Sequence, residues 1–495
     1  MLARRAGAAV CTLVLAAMSL GACARIRESA ALDPLRRAPA QAGGEFAPPG
    51  APEAYRADPE AWREPGLSLP APEAEQELSA LVSLALETNP RTRRAWQEAR
   101  AAAARVGRAE SPYLPEISAA PDGSRTKFAI PTATGTEHFY LWSLEPVVEL
   151  QWVLLDFGRR GANLERSRQE LFAAGFTLNR GLQDTIFDVQ RSFYALDARE
   201  ALVRAAEADL VAATSVADAA RARLANGLAT KPELLLAVQE EAEYAYAVED
   251  ARGRAEAARA DLARSVGFAA DLPYRIRSLQ DQPLPDGLRE SVEALIDAAL
   301  ARRPDLAAEL AKVRAQEAEL ARENARFWPT FSLRGHMGAQ RLAYSGGGPG
   351  LPFRRFDGHR SLYGAYLEME WKIFEGFDRV NAVREKRAGL EAARARLAQA
   401  EIDAMAEVWK AYADLKAALR KLDFAEALLA ASQEAYDAGL ATYEVGLNTI
   451  TNLLIAQRDL SRGRATLIET KAELLTSSAA LAHAAGAMPI GAVGP

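Results

Sequence analysis

Cys11, Cys23 and the four histidines, His138, His336, His359 and His483, are the side chains best suited to nucleophilic, redox or metal chemistry. The histidines are scattered without the spacing of a ligand set, so a metal centre is not expected. No Ser/His/Asp or Cys/His set stands in a motif-like context, and the acidic pairs read as solvated helix faces. The run from Gly346 to Pro352 gathers glycines as a phosphate-binding loop does. It lacks the Lys-Ser/Thr and the following helix that such a loop needs. An enzyme is therefore not expected, nor a cofactor, and a formal net charge of -6 argues against a nucleic-acid partner.

The one cysteine with a chemical context is Cys23. Arg4-Arg5, an apolar run from Ala8 to Met18 and then Leu20-Gly21-Ala22-Cys23 read as an export signal ending in a lipobox, where cleavage precedes the cysteine and its thiol is acylated. A plain secretory peptide cut after Gly21-Ala22 is the alternative. On the lipobox reading residues 1–22 are a signal peptide, and Cys11 leaves with it. Residues 23–76, rich in Pro, Gly and Ala, then form a lipidated extended arm, and no disulfide remains. Ala24 is not the aspartate that retains many lipoproteins at the inner membrane, which by analogy fits outer-membrane sorting.

The elements beyond the arm are written twice. Asn89-Pro90 recurs as Arg303-Pro304, and Tyr113-Leu114-Pro115 as Phe327-Trp328-Pro329, both offset by 214 positions. The Trp152–Asp156 run recurs as Trp371–Glu375, and Asn226-Gly227-Leu228 as Val445-Gly446-Leu447, both offset by 219. The difference falls at the glycine-rich run beginning at Gly346. Two copies of one structural unit are expected, at residues 77–275 and 290–488.

Proline placement divides each unit. None occurs between Pro146 and Pro232 or between Pro352 and Pro489, and those stretches are dense in strong helix formers. Helices from Arg159 to Leu224 and from Arg379 to Tyr443 would each be roughly 100 Å long. Ala411, Leu415, Ala418, Leu422, Ala425, Leu429, Ser432 and Tyr436 alternate steps of four and three, a coiled-coil seam.

Between the helices the period changes to two, with strands expected at about 113–152 and 327–372, paired through a Gly/Pro-rich loop. Tyr140, Trp142, Leu144, Pro146, Val148, Leu150 and Trp152 share one face, with Glu145 and Glu149 on the other. Tyr363, Leu367, Met369 and Trp371 likewise oppose Glu368 and Glu370. The run from Tyr140 to Trp152 would rise roughly 30 Å at a 45° tilt, the depth of a hydrocarbon core. Tyr140, Trp142, Trp152, Tyr363 and Trp371 would stand at its interfaces. A soluble sheet with one buried face shows the same alternation; the export signal, the lack of disulfides and the attached rods favour the membrane. No segment after the leader has the ~18 uninterrupted apolar residues of a membrane helix, so a bilayer would be crossed by strands.

Four strands cannot close a barrel, and lipid does not tolerate open strand edges. Two copies give eight strands and a filled interior, three give twelve and an open lumen. Glu145, Glu149, Glu368 and Glu370 favour water inside and hence a homotrimer.

The duplicated order of helix, strand pair, long helix, tight turn and helix, with the Trp152–Arg159 motif and a lipobox in front, resembles the TolC-like outer membrane efflux proteins, in particular their lipidated subgroup. The resemblance covers about residues 77 to 487. It implies a mainly α protein with membrane β: a trimeric twelve-stranded barrel in the outer membrane, continued by a periplasmic α-helical coiled-coil tunnel. It also implies tips that meet a periplasmic adaptor joined to an inner-membrane pump. The matching tip residues are Gly227, Leu228 and Thr230, and Gly446, Leu447 and Thr449. Gly227 and Gly446 suit the left-handed position that ends a helix, and Thr230 with Glu233 has capping-box spacing. Leu228 and Leu447 read equally as buried staple residues or as adaptor contacts. The family's acidic constriction would fall at Asn452 and Ile455, neither of them acidic. Glu233 is the other aperture candidate, with a local cap on Thr230 as its rival role.

The function implied is passive passage of exported small molecules across periplasm and outer membrane. A type I secretion outlet for polypeptides and a periplasmic coiled-coil lipoprotein scaffold with no pore are the alternatives.

Overall fold

The computed structural model describes residues 75–133, 135–279, 291–346 and 355–488. Cys23, the signal peptide, nearly all of the arm and most of the glycine-rich run after Gly346 lie outside them.

Each repeat begins with two short helices, α1 (Leu78–Thr88) and α2 (Pro90–Glu110), or α5 (Val292–Arg302) and α6 (Pro304–Ala325). A strand pair follows, β2 (Glu116–Thr132) with β3 (Gly135–Leu155), or β5 (Thr330–Gly346) with β6 (Phe356–Glu370). A helix of 67 residues comes next, α3 (Arg159–Ala225) or α7 (Asp378–Glu444). It turns back into α4 (Lys231–Val266) or α8 (Ile450–Ala484). At 1.5 Å per residue the long helices run about 100 Å. Two-residue strands, β1 (Glu75–Gln76) and β4 (Arg275–Ile276), pair in parallel.

The long helices are held by seams, not by a central core. Of the coiled-coil positions on α7, Ala411, Leu415, Ala418, Ala425 and Ser432 are buried and Leu422, Leu429 and Tyr436 half-buried. Small side chains at half of them let α7 and α8 approach closely along their length. The thickest packing occurs twice. Val189, Leu196 and Leu262 sit in the cluster joining α1, α3 and α4, and their repeat-two counterparts Val408, Leu415 and Leu481 in that joining α5, α7 and α8. Each fully buried leucine contributes about 1.5–3 kcal/mol, so removing any one opens its junction.

One landmark is filled by different chemistry in the two repeats. Asn89 caps α2 through Arg91 N at 2.8 Å, and its amide donates to the Ser265 carbonyl at the end of α4 at 2.7 Å. Arg303, at the equivalent place, reaches the Ala484 carbonyl at the end of α8 at 3.3 Å and pairs with Asp305 and Glu407, both at 2.7 Å.

The strands form one antiparallel sheet in the order β2-β3-β5-β6. In repeat one the strands meet in a tight turn, with Thr132 opposite Gly135, where the sequence suggested a longer Gly/Pro-rich loop. Pro131 is absorbed into the strand end because an edge strand tolerates its missing donor. Pro146 lies inside β3, a central strand. At that height β5 carries Gly338, since any Cβ there would collide with the Pro146 carbonyl. Among the described residues no helix is long and apolar enough to cross a membrane.

Candidate functional site: sheet faces and helical tips

Directly opposed residues of an antiparallel pair point to the same side, so the register sorts every strand residue to one of two faces. Glu137, Phe139, Ser143, Ser332 and Gln340, the buried positions of the sheet, all fall on one side, which is therefore concave. Glu145, Glu149, Glu368 and Glu370 lie on that side too. Ser143 Oγ donates to Glu145 at 3.1 Å, Glu368 is held by Arg334 at 2.7 Å, and Glu149 shares a row with Ser118 and His336.

The other side is convex and exposed. Tyr140, Trp142, Leu144, Val148 and Trp152 of β3 share it with Met337 of β5 and with Tyr363, Leu367 and Met369 of β6. Tyr363 heads the apolar run of β6, just beyond Ser361. From Trp142 to Trp152, at about 3.3 Å per residue and about 45° tilt, the apolar stretch rises roughly 23 Å.

Trp152 and Trp371 mark where sheet becomes helix. Each indole N–H donates to a carbonyl just before its repeat's first strand, Tyr113 at 2.9 Å and Phe327 at 3.1 Å. Beside them stand two arginines that the landmark motifs did not single out. Arg160 donates to the carbonyls of Pro112, Val153 and Leu154, pairs with Asp156 at 3.0 Å and covers the Tyr113 ring. Arg379 repeats the arrangement with the Arg326, Lys372 and Ile373 carbonyls, Glu375 at 2.9 Å and the Phe327 ring. A chain leaving a strand for a helix strands several carbonyls, and one guanidinium fork collects them. The signal was available, for the two arginines stand at the same offset as the two tryptophans.

At the opposite end of the long helices both tips close in the same way. Gly227 at φ +71° and Gly446 at φ +80° occupy left-handed backbone. The N–H groups of Gly227 and Leu228 bond to the Leu224 and Arg223 carbonyls, and those of Gly446 and Leu447 to Tyr443 and Thr442, which is a Schellman closure in each repeat. Such closures often bury the residue after the glycine, yet Leu228 is 69% exposed and Leu447 82%. Neither is a staple. The next helices are capped locally: Thr230 N donates to Glu233 Oε2 at 2.8 Å, completing a capping box, and Thr449 Oγ accepts from Asn452 N at 3.3 Å. Glu233 thus spends its carboxylate on the cap, and the Asn452 amide donates to Asn448 at 2.9 Å.

Arg223 clasps the two tips together. Its guanidinium donates to the Tyr443 carbonyl at 3.0 Å and lies 4.8 Å from the centre of the Tyr443 ring. Above the clasp an apolar cleft of about 610 Å³ separates α3 from α7, lined by Val216, Ala219, Tyr436, Leu440 and Leu453 among others. Higher still, α8 is tied to the first hairpin by Arg464–Asp209 at 2.7 Å and Arg458–Glu240 at 2.8 Å. Among the described residues no His/Cys/Asp/Glu cluster could hold a metal. The arrangement offers surfaces and a wall.

Comparison with known proteins agrees with that reading. The family model for outer membrane efflux protein matches residues 81–268 and 295–487, one segment in each repeat. Protein CyaE of Bordetella pertussis is 30% identical over 438 residues, covering 85% of this chain and 87% of that protein. A membrane protein from Pseudomonas aeruginosa superposes with a TM-score of 0.72 at 23% identity, over 83% of this chain and 92% of its own. The CmeC outer membrane channel of Campylobacter jejuni does so at 0.69 and 18% identity, over 83% and 85%. At those two identities the likeness is one of fold. The family model spans both repeats and the Bordetella relative aligns over most of its length: the chain belongs to the outer membrane efflux protein family.

Proposed function

We propose that three copies of this chain close into a passive duct, the outer-membrane channel of a tripartite efflux system, through which exported small molecules leave the cell. The observation that carries this is a four-stranded sheet, apolar outside and acidic inside, whose outer strands β2 and β6 are both unpaired edges. Such a sheet is stable in lipid only when the edges of further copies complete it, and twelve strands enclose water where eight do not. The helical layer also has exposed aromatic surface, with Trp409 and Phe424 on α7 exposed at 56% and 74%. A second copy would cover them.

In this reading Glu145, Glu149, Glu368 and Glu370 line the lumen, and Tyr140, Trp142, Trp152, Tyr363 and Trp371 sit at the membrane interfaces. Acylation of Cys23 tethers the arm to the outer membrane. The tips, with Gly227, Leu228, Thr230, Gly446, Leu447 and Thr449, take the adaptor that leads to the inner-membrane pump, and Leu228 and Leu447 supply exposed apolar anchors. No bond is made or broken along the path. Single-channel recording of the detergent-extracted protein in planar bilayers tests the proposal: discrete conductance steps are expected, and a silent bilayer from a correctly extracted oligomer would leave the scaffold reading in its place.

A further inference from the structure

The convex face of the sheet is not uniformly apolar. Sorting the strands by register, its charged residues are Arg125 and Lys127 on β2, Arg341 on β5 and Asp357 on β6. All four stand in the half of the sheet away from the helices. Arg341 and Asp357 neutralise each other at 3.0 Å. Arg125 and Lys127 have no carboxylate partner among the described residues. They are two positions apart, hence side by side on the same face, and both are exposed. Arg125 lies directly opposite Trp142 and Lys127 directly opposite Tyr140. Each cationic group is 5.8 Å from the centre of the Tyr140 ring, so both positive charges stand beside one phenol. Immediately toward the helices on the same strand come Gly123, Pro121, Ala119 and Ile117, all without charge.

We propose that Arg125, Lys127 and Tyr140 form a binding site for the phosphate of a phosphorylated glycolipid in the outer leaflet of the outer membrane. The inference rests on the channel reading, which puts the helices in the periplasm and so the β2–β3 turn at the cell exterior. Two unpaired cations above an apolar band stand where lipid headgroups lie, with their alkyl stems along the band and their charges at headgroup height. A phosphate monoester is the matching ligand: a guanidinium offers paired donors, an ammonium adds a point charge and the phenol a further donor. The ring of Trp142 below them suits the sugar and acyl root of such a lipid. At the helical end of the sheet Lys372 and Arg326 are ion-paired, to Glu375 at 3.4 Å and to Glu323 at 2.9 Å. The concave face carries mostly carboxylates, so the anion site is particular to the lipid side.

The test uses the full-length protein and its Arg125→Gln/Lys127→Gln variant, reconstituted in phosphatidylcholine vesicles that contain diphosphorylated lipid A, dephosphorylated lipid A or phosphatidylglycerol. Lipid retained by the re-extracted oligomer is counted by native mass spectrometry. The wild type is expected to retain diphosphorylated lipid A, and the variant to do so about thirtyfold more weakly. Dephosphorylated lipid A and phosphatidylglycerol, which lacks a monoester, should be retained poorly by both proteins. Equal retention by variant and wild type, or indifference to the phosphates, overturns the site. So does a variant that merely dissociates more easily while keeping its lipid, since the cations would then serve the seam between copies. Conductance of the same protein in planar bilayers separates the two readings: protein that conducts but ignores phosphate defeats only this site, and protein that never conducts defeats the channel with it.

Discussion

Arg160 and Arg379 each gather three carbonyls and a carboxylate at the point where a strand hands over to a 67-residue helix. Replacing Arg379 by alanine leaves those carbonyls without their donor in a half-buried place and takes from Glu375 the nearest of its cationic partners, Lys372 remaining at 3.4 Å, which should cost about 2–4 kcal/mol in urea unfolding of the extracted protein. Lysine restores the charge without the planar fork and should recover less than half of that loss. A lysine variant as stable as wild type would mean that charge alone matters at the junction. The tip leucines predict the reverse pattern. Leu228→Asp and Leu447→Asp remove side chains that touch solvent, so stability should move by no more than about 0.5 kcal/mol. Export from cells should nevertheless fall steeply, as read by drug susceptibility of a strain depending on this channel. Unchanged susceptibility would take these leucines out of the adaptor surface.

On the channel reading, neighbouring residues of the sheet belong to different solvents. Val148 faces outward in the row of Met337 and Ala119, whereas Glu149 faces the concave side. Val148→Arg should cost about 2–4 kcal/mol in lipid, and Glu149→Gln should leave assembly intact while weakening cation preference in reversal-potential measurements. Among the helices, Asp305 gives a pH prediction. Burial works to raise its pKa, but the bond and charge of Arg303 outweigh that, and the carboxyl sits below its ordinary value. Its contribution is therefore complete above about pH 4, its unfolded range, and is lost as pH falls through the lower folded value. Asp305→Asn should be less stable than wild type at pH 7, with the gap closing below pH 4. The long helices, the α7 seam and the two sheet faces were legible because periodicity reports burial directly. The Arg223–Tyr443 clasp was not, since it joins residues brought together only by packing the two hairpins. Nor was the exposure of Leu228 and Leu447, because the same turn sequence serves a leucine turned in or out. The tight turn at Thr132 escaped for a related reason: proline and glycine nearby suggest a loop whether they lie in it or flank it.

At the scale of the molecule, one fact about the chain dictates the rest: both its sheet and its helical layer are unfinished. β2 and β6 each offer a full row of unpaired backbone groups, and α7 exposes Trp409 and Phe424 on the helical layer. On the channel reading, lipid makes the first unacceptable and water the second, so insertion and assembly should be coupled, with no stable membrane-embedded monomer. Phe424 separates assembly from conduction, since it lies far along α7 from the sheet and adds nothing to the sheet's concave face. Phe424→Glu should therefore reduce the fraction of protein running as trimer in sedimentation, and with it the frequency of conductance steps in a bilayer. The amplitude of each step should stay at the wild-type value, because whatever trimers form enclose the same twelve strands. A reduced amplitude at normal frequency would instead place Phe424 on the conducting path and move the seam between copies to another face of α7.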